Sequence, residues 1–259
     1  MELILTLDVG TTSVKACLFD RQLRQTALTS REYALQTRGV CAEVEAQVYL
    51  DAAAQCILAL PAEARAKVCA VALTTQGETL LCVDRQGKAL RPAIVWLDSR
   101  AEAQAARLAA VLDRQRFYER TGLPELSGAL PLAKLLWLRE QEPESWARTD
   151  KFLLLEDYLM LWLTGRAVTE KSLLTSTGYF DLQSDDYWDE ALALAELDRT
   201  CLPQALACGS IVGPVLPEVA EALGLPASAC VVTGAMDQTA AALAAGCTRP
   251  GTLCETTGT

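Results

Sequence analysis

The chain has 259 residues, 51% hydrophobic and 22% charged, with a formal net charge of −10 and no histidine. That balance excludes a disordered or fibrous chain and suits one large α/β domain, or one domain and the start of another. The charge disfavours nucleic acid and anionic membranes as partners. The missing histidine excludes Ser-His-Asp and Cys-His catalysis, so carboxylates, hydroxyls, lysines and backbone amides are left for any chemistry.

In chain order, an acid at position 2 and a short apolar run are unlike a signal peptide. Alternation in Leu3-Ile4-Leu5-Thr6-Leu7, a Gly-Thr-Thr turn and Val14 to Phe19 predict a strand, a tight turn and a second strand. A third strand is expected between Thr26 and Gln36, a helix from Glu45 to Leu60, and a buried strand from Val68 to Leu73. Further strands are expected at Thr79 to Val83, Ala93 to Leu97 and Lys151 to Leu155. Helices are expected from Ser99, as cap, to Leu112, then from Leu130 to Arg139 and from Asp157 to Leu163. A helix near Pro217 to Leu223, a strand ending at Gly234 and a small-residue helix from Asp237 to Ala245, closed by Gly246, complete the pattern. Strands first, then strands alternating with helices, predict a mixed-sheet α/β fold.

The ten cysteines are scattered with no C-x-x-C pair, which reads as ordinary thiols in a reducing cytosol. The most apolar later stretch, Phe152 to Leu163, is interrupted by Glu156 and Asp157 and is too short to span a bilayer. A cytoplasmic protein is expected.

Three segments carry chemistry. In Asp8-Val9-Gly10-Thr11-Thr12-Ser13-Val14-Lys15, the glycine allows a tight turn and the backbone N–H and hydroxyl groups can line a phosphate-sized concavity. Asp8 could hold a hydrated Mg²⁺, and Lys15 could offset phosphate charge. A plain hairpin satisfies the same spacing. Next, Gln76, Glu78, Asp98 and Arg100 could meet several hydroxyls of a sugar or polyol, with Trp96 against its C–H face. Each alone also fits a core aromatic, a surface ion pair or a helix cap. Finally, Gly234-Ala235-Met236-Asp237-Gln238 sits where a strand meets a helix. There Asp237 is either a helix cap or a base that takes a proton from an attacking hydroxyl, kept ionised by the helix N-terminus.

No P-loop and no G-x-G-x-x-G is present. The Asp-x-Gly-Thr-Thr hairpin resembles the first phosphate loop of actin-like ATPases. With Gln76-Gly77-Glu78-Thr79, Trp96-Leu97-Asp98-Ser99-Arg100, the Thr121-Gly122-Leu123-Pro124 turn, the Lys-Leu-Leu-Trp run at 134 to 137 and G-x-x-D-Q in order, the whole chain resembles the FGGY carbohydrate kinases. The resemblance implies an actin-like, ribonuclease H-like α/β fold with a mixed five-stranded sheet flanked by helices. It also implies phosphorylation of a sugar, sugar acid or polyol by ATP with Mg²⁺, with a homodimer allowed.

It assigns Asp237 as the catalytic base and Gln76, Gly77, Glu78, Trp96, Asp98 and Gln238 to the substrate. Gly10, Thr11, Thr12, Ser13 and Lys15 fall to the nucleotide and Asp8 to the metal. The terminal Glu255-Thr256-Thr257-Gly258-Thr259 resembles the second phosphate loop, adding Gly258 and Thr259 to the nucleotide set. Residues 1–247 then form an N-terminal sugar-binding and catalytic domain, and 248–259 the start of a nucleotide domain. A strand beginning at Gly251 and left on a polar turn implies that the natural polypeptide continues.

Gly77 stands where glycerol kinases have arginine, and no tyrosine follows the Thr-Gly-Leu-Pro turn, which disfavours glycerol. The Met-His usual after the glutamine in xylulose kinases is absent as well. The small residue at 77 suggests room for a longer or acidic acceptor such as gluconate. A non-catalytic sugar-binding or regulatory module is the alternative. An ATPase of the chaperone or actin type leaves W-x-D-x-R and G-x-x-D-Q without a reason.

Overall fold

A computed structural model describes residues 2–255. The chain opens with the hairpin β1 (Leu3–Val9) and β2 (Ser13–Phe19), followed by β3 (Gln25–Glu32). A second hairpin, β4 (Gln36–Arg38) and β5 (Cys41–Val44), leads into α1 (Ala46–Ala59), α2 (Ala62–Arg65) and β6 (Val68–Thr75). Then come β7 (Leu80–Val83), β8 (Ala93–Ile94), α3 (Glu102–Val111), α4 (Arg114–Thr121), α5 (Pro131–Gln141), α6 (Pro143–Arg148), β9 (Lys151–Leu154) and α7 (Leu155–Thr164). The remainder holds β10 (Val168–Glu170), α8 (Lys171–Leu174), β11 (Phe180–Asp181), β12 (Asp186–Tyr187), α9 (Asp189–Leu194), β13 (Gln204–Leu206), β14 (Ile211–Pro214), α10 (Pro217–Leu223), β15 (Cys230–Met236) and α11 (Asp237–Ala244).

The central sheet runs β14-β15-β6-β1-β2-β3. Strands β15, β6 and β1 are parallel and their neighbours antiparallel. The expected five strands are present, and β14 adds a sixth at one edge. On β1 the period-two pattern buries Leu3, Leu5, Leu7 and Val9 and leaves the alternate residues half-buried. Helices α1, α7 and α10 contribute Tyr49, Ile57, Leu159 and Leu223 to the apolar core around this sheet. A second sheet, β4-β5-β8-β7-β9, packs its Leu80 and Ile94 into another core with Leu108 of α3 and Leu135 of α5.

The expected strand at Ala93 to Leu97 ends at Ile94, because the chain turns at Trp96 and Leu97. The helix expected to start at Ser99 starts at Glu102 with Ala101 as its cap residue. The cause is local: Asp98 accepts from the Arg100 backbone N–H, and the Ser99 N–H donates to Val40, which holds 98–101 out of the helix. No strand forms at Gly251 to Glu255. The remainder of the second phosphate loop, Thr256 to Thr259, lies outside the described residues. Among the described residues no helix is long and apolar enough to cross a membrane.

Candidate active site

The parallel strands β1, β6 and β15 end side by side. Asp8 is level with Thr74 of β6, and Thr74 is level with Ala235 of β15. The residues just past those ends are Gly10, Gln76 to Glu78 and Asp237, so three distant motifs meet at one edge. In open α/β sheets the carboxyl ends of parallel strands are where ligands bind.

At the β1–β2 turn the Gly10 N–H donates to the Ser13 carbonyl at 3.0 Å, so that amide closes the hairpin and is spent there. Thr12 at the tip is exposed. Lys15 reaches back to Asp8 at 3.3 Å, with both side chains open to solvent. Tyr33 donates its hydroxyl to the Gly10 carbonyl and packs edge-on against Tyr49 at 5.2 Å.

Gln76 is not on the surface. It is 3% exposed, its amide donates to the Tyr49 hydroxyl at 3.3 Å, and its backbone N–H donates to Val9. These bonds make Gln76 a brace between β1, α1 and β6, while its Oε1 has no partner among the described residues. Room beside Gly77 is also smaller than expected: a methyl group there would lie 3.0 Å from Met236 Sδ and 3.2 Å from Ser176 Oγ. Those two side chains fill the volume that the missing side chain at 77 suggested. Glu78 follows with φ of 51°, a left-handed backbone rare outside glycine and a mark of a constrained turn. Burial pushes its carboxyl above the ordinary range, against a hydrogen bond from Ser176 and the charge of Lys134, and Asp237 pushes it further up.

Trp96 is partly exposed and donates its indole N–H to Thr11 Oγ1 at 2.8 Å, which ties the W-x-D-x-R turn to the phosphate-type hairpin. Asp98 behaves differently from the expectation. It is fully buried, its carboxylate accepts from Arg100 Nη2 at 2.6 Å and from the Ala42 N–H at 2.6 Å, and it offers nothing to a substrate. Burial opposes its charge, yet the hydrogen bonds from Arg100 and Ala42 win and hold its pKa below the ordinary carboxylate value. Arg100 continues to Glu43 at 2.8 Å, and Arg91 joins Glu43 to Glu142. Asp98 and Arg100 are therefore the support beneath Trp96.

The Lys-Leu-Leu-Trp run explains itself once folded. Lys134 is fully buried and donates to the carbonyls of Glu78 and Val95, both at 3.0 Å, joining the two candidate substrate loops. Burial lowers its pKa to about 7 against the charges of Asp98 and Glu78. Trp137 lies under the Arg100 guanidinium at 4.9 Å. The sequence marked these residues without a role, because each acts on loops 35 to 60 residues away in sequence, at a distance no local pattern reports.

Met236 is the cap residue of α11 and Asp237 its first helical residue, so a capping role for Asp237 is excluded. Its Oδ1 accepts from the Gln238 N–H at 2.6 Å, and Gln238 is exposed beside it. The helix start is one of several influences on the Asp237 carboxyl. Burial raises its pKa, the Gln238 N–H offsets part of that, and the charge of Asp8 adds to the rise. Asp8, Glu78 and Asp237 thus form an acidic face whose members feel one another. A concavity of about 520 Å³ is lined by Thr74 of β6, Gly234 and Ala235 of β15 and Ser172 of α8. One of about 540 Å³ beside Asp113 and Tyr118 lies on α4, with no link to these strand ends.

Residues 3–244 match the N-terminal domain of the FGGY family of carbohydrate kinases. The chain belongs to that family. It is 32% identical over 250 residues to a xylulose kinase of Lactococcus lactis, covering 95% of this chain and 50% of that protein. It is 26% identical over 258 residues to a gluconokinase of Bacillus subtilis, covering 99% and 50%. The crystal structure of a xylulose kinase from Rhodospirillum rubrum superimposes with a TM-score of 0.90 at 30% identity, covering 96% of this chain and 52% of that one. The FGGY chain therefore spans about half the length of the curated relatives it matches, and the actin-like fold class expected from its motifs is the fold it adopts.

Proposed function

We propose that this chain supplies the acceptor side of an ATP-dependent phosphorylation of a sugar, sugar acid or polyol, with Asp237 as the base. The observation that carries the reading is the meeting of Asp8, Glu78 and Asp237 at the ends of three adjacent parallel strands. In phosphoryl transfer a protein mainly positions groups, and a carboxylate in reach of the attacking hydroxyl orients it and takes its proton. The upward shift at Asp237 makes it a stronger base than a free aspartate.

Glu78 and Gln238 would bond acceptor hydroxyls, and Trp96 would cover a C–H face, with Gly77 lining the base of the site. Gly10, Thr11, Thr12, Ser13 and Lys15 would face the ATP phosphates, joined by Gly258 and Thr259 beyond the described residues. Asp8 suits a hydrated Mg²⁺, because its carboxylate is open to solvent and holds only the exposed Lys15. Magnesium bound there would neutralise phosphate charge. Three mutually repelling carboxylates disfavour another carboxylate nearby, so neutral sugars and polyols rank ahead of aldonates. Ten unpaired thiols support a reducing, cytoplasmic setting.

The test uses the full-length polypeptide with ATP, Mg²⁺ and a panel of ketoses, polyols and aldonates, reading ADP release. Asp237→Asn should lower kcat roughly 10²- to 10⁴-fold with the best acceptor. Retention of most of the rate would remove Asp237 from the role of base.

A further inference from the structure

The strand that delivers Asp237 breaks its ladder just before it. Pairing of β15 with β6 shifts register between Val232 and Ala235. Gly234 sits in that break so close to β6 that an added Cβ would lie 1.4 Å from the Leu73 carbonyl oxygen. No other residue fits, which gives the glycine of G-x-x-D-Q a steric reason.

A bulge leaves backbone groups without their regular partners, and buried ones need replacements. Here three consecutive residues are each held by a side chain from a different element. The Gly234 N–H donates to Glu156 Oε1 of α7 at 3.1 Å. The Ala235 carbonyl accepts from Thr74 Oγ1 of β6 at 2.7 Å. The Met236 N–H donates to Ser172 Oγ of α8 at 3.0 Å, and that hydroxyl is oriented by Glu170. Asp237 is the next residue.

Glu156 is fully buried with no basic group joined to it, and its Oε2 finds no partner among the described residues. Such a carboxyl has no evident structural return other than the bond it makes to Gly234. Burial raises its pKa well above the ordinary value against the pull of the Gly234 N–H, and the nearby Asp157 and Glu170 push the same way. The Glu156 Oε1 is the acceptor that the Gly234 N–H reaches.

We infer that Glu156 and Ser172 are positioning residues for Asp237, fixing the bulged backbone that aims its carboxylate. The inference rests on Asp237 being the base, and it extends to side chains that touch neither substrate. Glutamine retains the acceptor oxygen of Glu156, whereas leucine removes it at similar volume.

The experiment measures kcat and acceptor KM of the full-length protein for Glu156→Gln, Glu156→Leu and Ser172→Ala, each alone and combined with Asp237→Asn. Glu156→Gln should stay within about threefold of wild type. Glu156→Leu should lower kcat at least tenfold with acceptor KM little changed, and should cost nothing further in the Asp237→Asn background, because its effect passes through that carboxylate. Ser172→Ala should follow the same pattern more weakly, and it decides the matter if the leucine variant fails to fold. An undiminished kcat in Glu156→Leu, or an equal loss in both backgrounds, overturns the inference. An active Asp237→Asn single variant instead overturns the assignment of the base, so the two failures are distinguishable.

Discussion

Two sets of buried charges flank the candidate site, and they are built on opposite plans. Beneath Trp96, Asp98 and Glu43 are matched by Arg100 and Arg91 through contacts of 2.6 to 2.8 Å. Behind Asp237, the buried carboxyls of Glu156, Asp157 and Glu170 have no cation bonded to them among the described residues. Both side chains are shut off from solvent, but Glu156 lies deeper in the protein than Asp98; burial raises Glu156 well above its ordinary value, whereas the bonds from Arg100 and Ala42 hold Asp98 below its own. Depth of burial and the available partner together set the direction of each shift. An ionised, paired set suits holding a loop by charge. Glu156 and Asp157, both raised by burial, suit supporting a backbone while adding less negative charge behind the proposed base.

The largest expected contrast is in stability. Asp98→Leu in the full-length protein strands Arg100 beside the buried Lys134, with Glu43 as its remaining acid, and should cost about 3–5 kcal/mol by urea unfolding. Asp157→Asn should cost far less, since the amide oxygen can still accept from the Leu154 N–H, a bond now 2.7 Å long. A loss below about 1 kcal/mol for Asp98→Leu would dissolve the distinction between the two sets.

A pH series sharpens the same contrast. Burial pushes Asp157 up to about 8, against the hydrogen bond from the Leu154 N–H, so the folded state keeps a proton that the unfolded chain releases near pH 4. Between those values the unfolded state binds fewer protons, and the contribution of Asp157 to stability falls as pH rises. Asp157→Asn should therefore gain on wild type from about pH 5 to about pH 8. Parallel stability curves would contradict a buried neutral Asp157. Asp98 has the opposite sign, its contribution being lost only as pH falls through its lowered folded-state pKa.

The smallest effect is expected at the link between loops. Trp96→Phe keeps a flat face but frees Thr11 from its 2.8 Å bond, so stability should move by about 1 kcal/mol or less. Calorimetric titration of the full-length protein should show weaker ATP binding with acceptor binding nearly unchanged. Loss of acceptor binding instead would place the contribution of the indole N–H on the sugar side.

Much of the fold was legible because its signals are local. Alternation marked β1 and β6, the Gly-Thr-Thr turn marked the first hairpin, and Gly246 closes the last helix with φ of 81° as its type suggests. The short strands β10 to β13 gave no such signal, since two or three residues carry no period. Among candidate site residues, Glu78, Trp96 and Asp237 could be singled out by their type and motif; Glu78 and Asp237 follow the ends of neighbouring strands, and Trp96 bonds to Thr11 of the first hairpin. Gln76 and Asp98 could not be told from surface ligands, because a polar side chain in a loop reads the same whether solvent or a buried partner satisfies it.

The sequence by itself determined the order of motifs and the family resemblance, which nominates Asp237 as the proposed base. Only the tertiary structure decided which polar residues face outward and what state the buried acids adopt. Those properties depend on partners far apart along the chain: Ala42 with Asp98, Lys134 with Glu78, and Glu156 with Gly234. A carboxyl's charge is set by what folding brings within a hydrogen bond of it and by how deeply it is buried, and even a near neighbour such as Arg100 beside Asp98 reports only part of that.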